Sequence, residues 1–153
     1  MVRSRLRLAL CLALAVLFTG CTMFISRIHV QRAESEPAFT HAEREKAKVI
    51  ALEICRAARF SGRASEPIDP APSGYSEFFA CDGSGSEQDT VSVSGQLRNG
   101  GREILVSLSD YTRADPLPAT RKMLEDLRTA LERAFPDARV EVTRNNRLRL
   151  FGP

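Results

Sequence analysis

The sequence has no tryptophan, two histidines (His29 and His41) and four cysteines in 153 residues. A zinc centre needs four ligands, mostly imidazole or thiolate, so the chain is short of donors and no metal or cofactor is expected. Charge of one sign is scarce as well, once it is read by region. The formal net charge is +3, but three of the 22 Lys and Arg residues (Arg3, Arg5, Arg7) lie in the first 20 residues, where no acid occurs. That leaves 19 basic residues against 19 acidic ones. Such a balance excludes the basic surface that nucleic-acid phosphates require. The length suits one ordinary domain and not two. Hydrophobic residues at 43% and charged residues at 27% give a globular balance rather than a disordered one.

The basic excess is followed by residues 8–18 (LALCLALAVLF), an unbroken apolar run of 11, and then by Thr19, Gly20 and Cys21. A positive start, a short apolar core and small residues before the break read as an export signal over residues 1–20. An uncleaved anchor is the alternative, because no charge occurs from Leu8 to Ser26 and about 20 apolar residues span a bilayer. Ordinary secretion with an unmodified Cys21 is a third. Export and anchor readings give one topology, with the basic end in the cytoplasm and the domain outside it.

At Leu17-Phe18-Thr19-Gly20-Cys21 the segment resembles the lipobox of bacterial lipoproteins. The resemblance implies cleavage before Cys21, a diacylglycerol on its sulfur and acylation, commonly with palmitate, of its new amine. Phe18 departs from the aliphatic residue usual at that position. Two or three acyl chains make attachment stable where one is marginal. Thr22 stands where an Asp would retain such a protein at the inner membrane, so the resemblance implies an outer-membrane location with the domain facing the periplasm.

Cys11 leaves with the signal and Cys21 carries lipid, which leaves Cys55 and Cys81 as an even pair in an oxidising compartment. A bridge between them closes a loop of 26 residues and adds about 3.5 kcal/mol by the chain-entropy estimate. Two buried thiols or half of a metal site are the competing readings.

Residues 22–39 show no sustained period and contain a polar run ending in Pro37, so 21–39 reads as the lipidated Cys plus a flexible tether, and 40–153 as a single domain. Thr40 with Glu43 makes a capping box. Ala47, Ile50, Ala51, Ile54 and Ala58 then recur at helical spacing until Gly62 stops the helix. Residues 65–74 and 82–89 read as loops. Residues 75–81, 91–97 and 102–109 read as strands, the last two joined by an Arg98-Asn99-Gly100-Gly101 hairpin turn. Asp115-Pro116 opens a second helix with Leu124, Leu127, Leu131 and Phe135 on its apolar stripe. Val140 and Val142, then Leu148 and Leu150, form a hairpin about Asn145-Asn146. The order α-β-β-β-α-β-β predicts an α+β two-layer sandwich, a mostly antiparallel sheet covered on one face by two helices.

Candidate chemistry is thin. His41 at a helix start and His29 in the tether have no nucleophile placed beside them. The 82–89 loop carries alternating oxygen donors but has Glu87 and Val93 where a calcium loop needs Gly and Glu. Arg144, Arg147 and Arg149 cluster as a candidate patch for an anionic partner or lipid headgroup; a solvated edge strand is the plainer reading. The expected function is a non-catalytic, lipid-anchored envelope domain that binds a protein partner or supports the envelope. The alternatives are a small envelope hydrolase, which needs a polar cleft with convergent groups, and a carrier, which needs an enclosed apolar pocket.

Overall fold

The computed structural model describes residues 22–64, 76–83, 91–110 and 115–148. The expected signal segment, Cys21, the expected loop at residues 65–74, most of the one expected at 82–89 and Arg149 lie outside them.

The first described element is a strand, β1 (Thr22–Gln31). Helix α1 (His41–Ala57) follows, then strands β2 (Phe60–Ala64), β3 (Ser76–Gly83), β4 (Val91–Arg98) and β5 (Glu103–Asp110), helix α2 (Pro118–Ala134) and strand β6 (Arg139–Leu148). The strands form one sheet in the order β2-β3-β4-β5-β1-β6, and every neighbouring pair is antiparallel. The expected α+β sandwich of an antiparallel sheet and two helices is the observed fold.

The alternation that makes the sheet two-faced is plain in β1 and β5. Phe24, Ser26, Ile28 and Val30 are buried, as are Ile104, Val106, Leu108 and Asp110. Their neighbours Arg27, His29 and Gln31, with Ser107 and Ser109, are half-buried on the opposite face. The core is completed by Ala47, Ala51 and Cys55 from α1 and by Met123, Leu124, Leu127 and Leu131 from α2. At the end of the sheet where β1 finishes, Phe39 meets Phe135 edge-on, with ring centroids 5.5 Å apart. No helix among the described residues is long and apolar enough to cross a membrane.

Helix α1 starts as expected. Thr40 caps it, and both halves of the capping box with Glu43 are formed. Arg32, one residue past β1, reaches Glu43 at 2.5 Å, so the box also ties the strand end to the helix start. The Glu43 carboxyl is lowered to about 2, first by the Thr40 backbone N–H and then by Arg32, since both favour the charged form. Its stabilisation is therefore complete above the ordinary carboxylate range and is lost as pH falls through about 2.

Four expectations are corrected. Residues 22–31 are not tether but an interior strand, laddered on both sides by residues 103–110 and 139–148. The three consecutive apolar residues 23–25 and a serine at the buried position 26 hide the period of two. The residues after α1 do not pass straight into a loop: Arg59 at φ 64° reverses the chain, and β2 follows with Gly62 opposite Cys81. Asn145 and Asn146 do not turn the chain, because β1 supplies a ladder as far as Thr22↔Leu148 and holds them extended in β6. Helix α2 opens at Pro118 rather than at Asp115-Pro116, with Leu117 at its cap. The Asn99-Gly100-Gly101 turn is as expected, and all three residues have positive φ.

Candidate functional site

Two clusters of polar side chains stand at opposite ends of β1. At its beginning, Phe24, Asp115, Pro116, Leu124, Arg121 and Arg144 line a pocket of about 400 Å³. Pairing places them together. Arg144 on β6 stands opposite Ser26, which faces the helices, so Arg144 is on the helix side of the sheet. Arg121 lies in the first turn of α2, and Leu124 one turn on. Phe24 and Leu124 are each 5% exposed and form the apolar wall. Both guanidinium groups are exposed. Among the described residues neither makes an ion pair within 4 Å. The nearby Glu125 is engaged instead by Arg128, whose hydrogen bond is the main cause of its lowered pKa; Arg144 contributes a weaker attraction.

At the far end of β1, on the open face of the sheet, His29 sits between two partners. One ring nitrogen, Nδ1, is 2.7 Å from Glu103 Oε1, and the other, Nε2, is 3.0 Å from Thr143 Oγ1. Glu103 is 4% exposed, and it also accepts from Asn99 Nδ2 at 2.6 Å and Gln31 Nε2 at 3.3 Å. In the tautomer that carries its proton on Nδ1, the imidazole donates to Glu103 and its Nε2 accepts from the Thr143 hydroxyl. The row hydroxyl–imidazole–carboxylate has the order of a nucleophilic relay. The adjoining polar cleft, about 600 Å³, is lined by Gln31, Arg32, Glu34, Asn99, Arg102 and Glu103. It touches the carboxylate end of the row and not the hydroxyl. Satisfying a buried carboxylate is the work this row does for the fold.

The sequence reading placed His29 in the tether and missed this cluster. The one available signal was the alternation of Arg27, His29 and Gln31, which puts three polar side chains on one strand face. His41 is exposed at the start of α1, as expected of a first-turn residue. Cys55 and Cys81 are joined in a disulfide, both sulfurs fully buried, with Cα atoms 6.3 Å apart. Of the arginine patch, Arg144 lines the pocket just described, Arg147 pairs through its backbone with Met23, and Arg149 lies outside the described residues. Among the described residues no three His, Cys, Asp or Glu side chains converge to hold a metal.

No family model matches the chain, and no curated protein matches it.

Proposed function

We propose that this chain is a lipid-anchored lipoprotein of the bacterial cell envelope. Its domain faces the periplasm from the outer membrane and acts without catalysis, as a partner-binding or structural element. The observation that carries this reading is the sequence pattern of residues 1–21, a basic start, an unbroken apolar run and Leu17-Phe18-Thr19-Gly20-Cys21. The described residues that follow carry a sheet and two helices of their own. Cys21, the residue to be acylated, directly precedes strand β1 in the sequence. The buried Cys55–Cys81 disulfide supports a domain that resides in an oxidising compartment. Val49 is the one large hydrophobic side chain exposed among the described residues, so a protein partner is recognised through polar and charged groups.

Cys21→Ser is expected to abolish incorporation of radiolabelled fatty acid in growing cells, with the unprocessed precursor accumulating. Label retained at wild-type level on the variant would sink the lipoprotein reading.

A second reading, a small envelope hydrolase, is favoured by one observation, the Thr143–His29–Glu103 row. It is disfavoured because the cleft opens at Glu103 and away from the hydroxyl. The purified full chain is expected to show no turnover of an ester panel beyond that of its Thr143→Val variant. Turnover lost on Thr143→Val would move the assignment to the hydrolase.

A further inference from the structure

The pocket at the start of β1 holds two guanidinium groups that no carboxylate neutralises directly, beside an apolar wall of Phe24, Leu124 and Pro116. Asp115 also lines it, so the three charged side chains leave a surplus of one positive charge. Covalent geometry fixes where this pocket sits relative to the anchor. Phe24 follows Cys21 by three residues, and three residues of chain span at most about 11 Å. A glyceride on Cys21 therefore keeps Phe24, and the pocket it lines, within about 11 Å of chain from the headgroup layer, close enough to meet a lipid phosphate. The polar cleft lies at the other end of β1, the length of the strand from Thr22 to Gln31 away from this pocket.

We infer that this pocket binds the phosphodiester of an anionic phospholipid in the leaflet that holds the anchor, an inference that rests on the lipoprotein reading. Arg121 and Arg144 take the phosphate oxygens, and guanidinium suits that role because its planar fork donates two hydrogen bonds to one phosphate. Phe24, Leu124 and Pro116 accept the glycerol and the first carbons of the acyl chains. The surplus positive charge selects an anionic headgroup over a zwitterionic one. Bound in this way the domain is held at two points, the covalent glyceride and the phosphate, and two points restrict how the sheet tilts against the bilayer.

The test is native mass spectrometry of the full chain in neutral detergent, offered phosphatidylglycerol and phosphatidylcholine at equal concentration. Wild type is expected to retain phosphatidylglycerol in preference, and Arg121→Gln and Arg144→Gln each to lower that retention about fivefold, the effect of one basic side chain at an anionic surface. The double variant is expected to take the two lipids alike. Both arginines are exposed, so the variants keep the wild-type melting temperature, checked by circular dichroism. Equal uptake of both lipids by wild type, retention unchanged in the double variant, or complete displacement by millimolar inorganic phosphate would each overturn the inference. The same spectra give the intact mass. A Cys21 without glyceride overturns the lipoprotein reading, while lipid selection in that spectrum still reads the pocket.

Discussion

Gly95→Ala is expected to destabilise the domain by about 3 kcal/mol and to lower its melting temperature by roughly 10 °C. Gly95 lies on β4 directly opposite Phe79 of β3. A Cβ built on it falls 1.9 Å from Phe79 Cε1, 2.3 Å from Cδ1 and 2.7 Å from Cζ, so the ring lies across the glycine itself. An aromatic ring that covers a cross-strand glycine fills the space a side chain would otherwise occupy. The ring has nowhere to retreat. Phe79 is fully buried, and Phe78 stacks edge-on against it with centroids 5.2 Å apart. Close-packed interiors meet such an insertion by straining rotamers or shifting backbone.

A double-mutant cycle makes the cause specific. Phe79→Leu removes the part of the ring nearest the new methyl group. The pair Gly95→Ala with Phe79→Leu should therefore lose clearly less stability than the two single changes added together. Thermal melts of the four proteins decide the matter. Additive losses would show that the alanine harms β4 for some reason other than this contact, and a Gly95→Ala protein melting with wild type would remove the contact altogether.

Gly95 also shows where reading the sequence stops. The strand at 91–97 was legible because Val91, Val93 and Leu97 alternate, and Gly95 merely filled the gap in the stripe. Which aromatic covers it depends on a register shift in β3 between Glu77 and Phe79 that no local signal announces. The elements read correctly were those specified by neighbours in the chain: the Thr40–Glu43 capping box, the Asn99-Gly100-Gly101 turn and the stripe of α2. The elements missed depend on distant partners. β1 is extended because β5 and β6 hydrogen-bond it from both sides, and its buried Ser26 is tolerated because it donates to the Thr143 carbonyl at 3.4 Å. β2 is five residues long with a glycine inside it, and it exists because β3 offers it a ladder. The same division holds for the site. The resemblance at Leu17–Cys21 rests on a purely local pattern, and it lies outside the described residues. A pocket made from residues 24, 121 and 144 is assembled by topology, and only Arg144 of that set stood out beforehand.

Loss of the Cys55–Cys81 bridge is the other large effect expected. Cys55→Ala with Cys81→Ala should cost about 3.5 kcal/mol, mostly by freeing the loop in the unfolded chain, and should lower the melting temperature by about 10 °C or more. The structure shows why the loss is concentrated in one place. Cys55 is on the buried stripe of α1, one turn beyond Ala51, and Cys81 is on β3 opposite Val93. The bridge ties the last turn of α1 to the β2–β3 margin, the side of the sheet away from α2, whose sheet contacts lie toward β6. Alanine rather than serine is the informative replacement, because both sulfurs are fully buried and a hydroxyl there would need a partner of its own. Burial also governs reactivity. Reductant alone should leave the native protein unalkylated at both positions, whereas denaturant with reductant should expose two thiols. Alkylation at Cys55 and Cys81 in denaturant without reductant would remove the bridge. A double alanine variant that melts with wild type would show that the packing of Leu52 and Ala51 against the sheet holds this margin unaided.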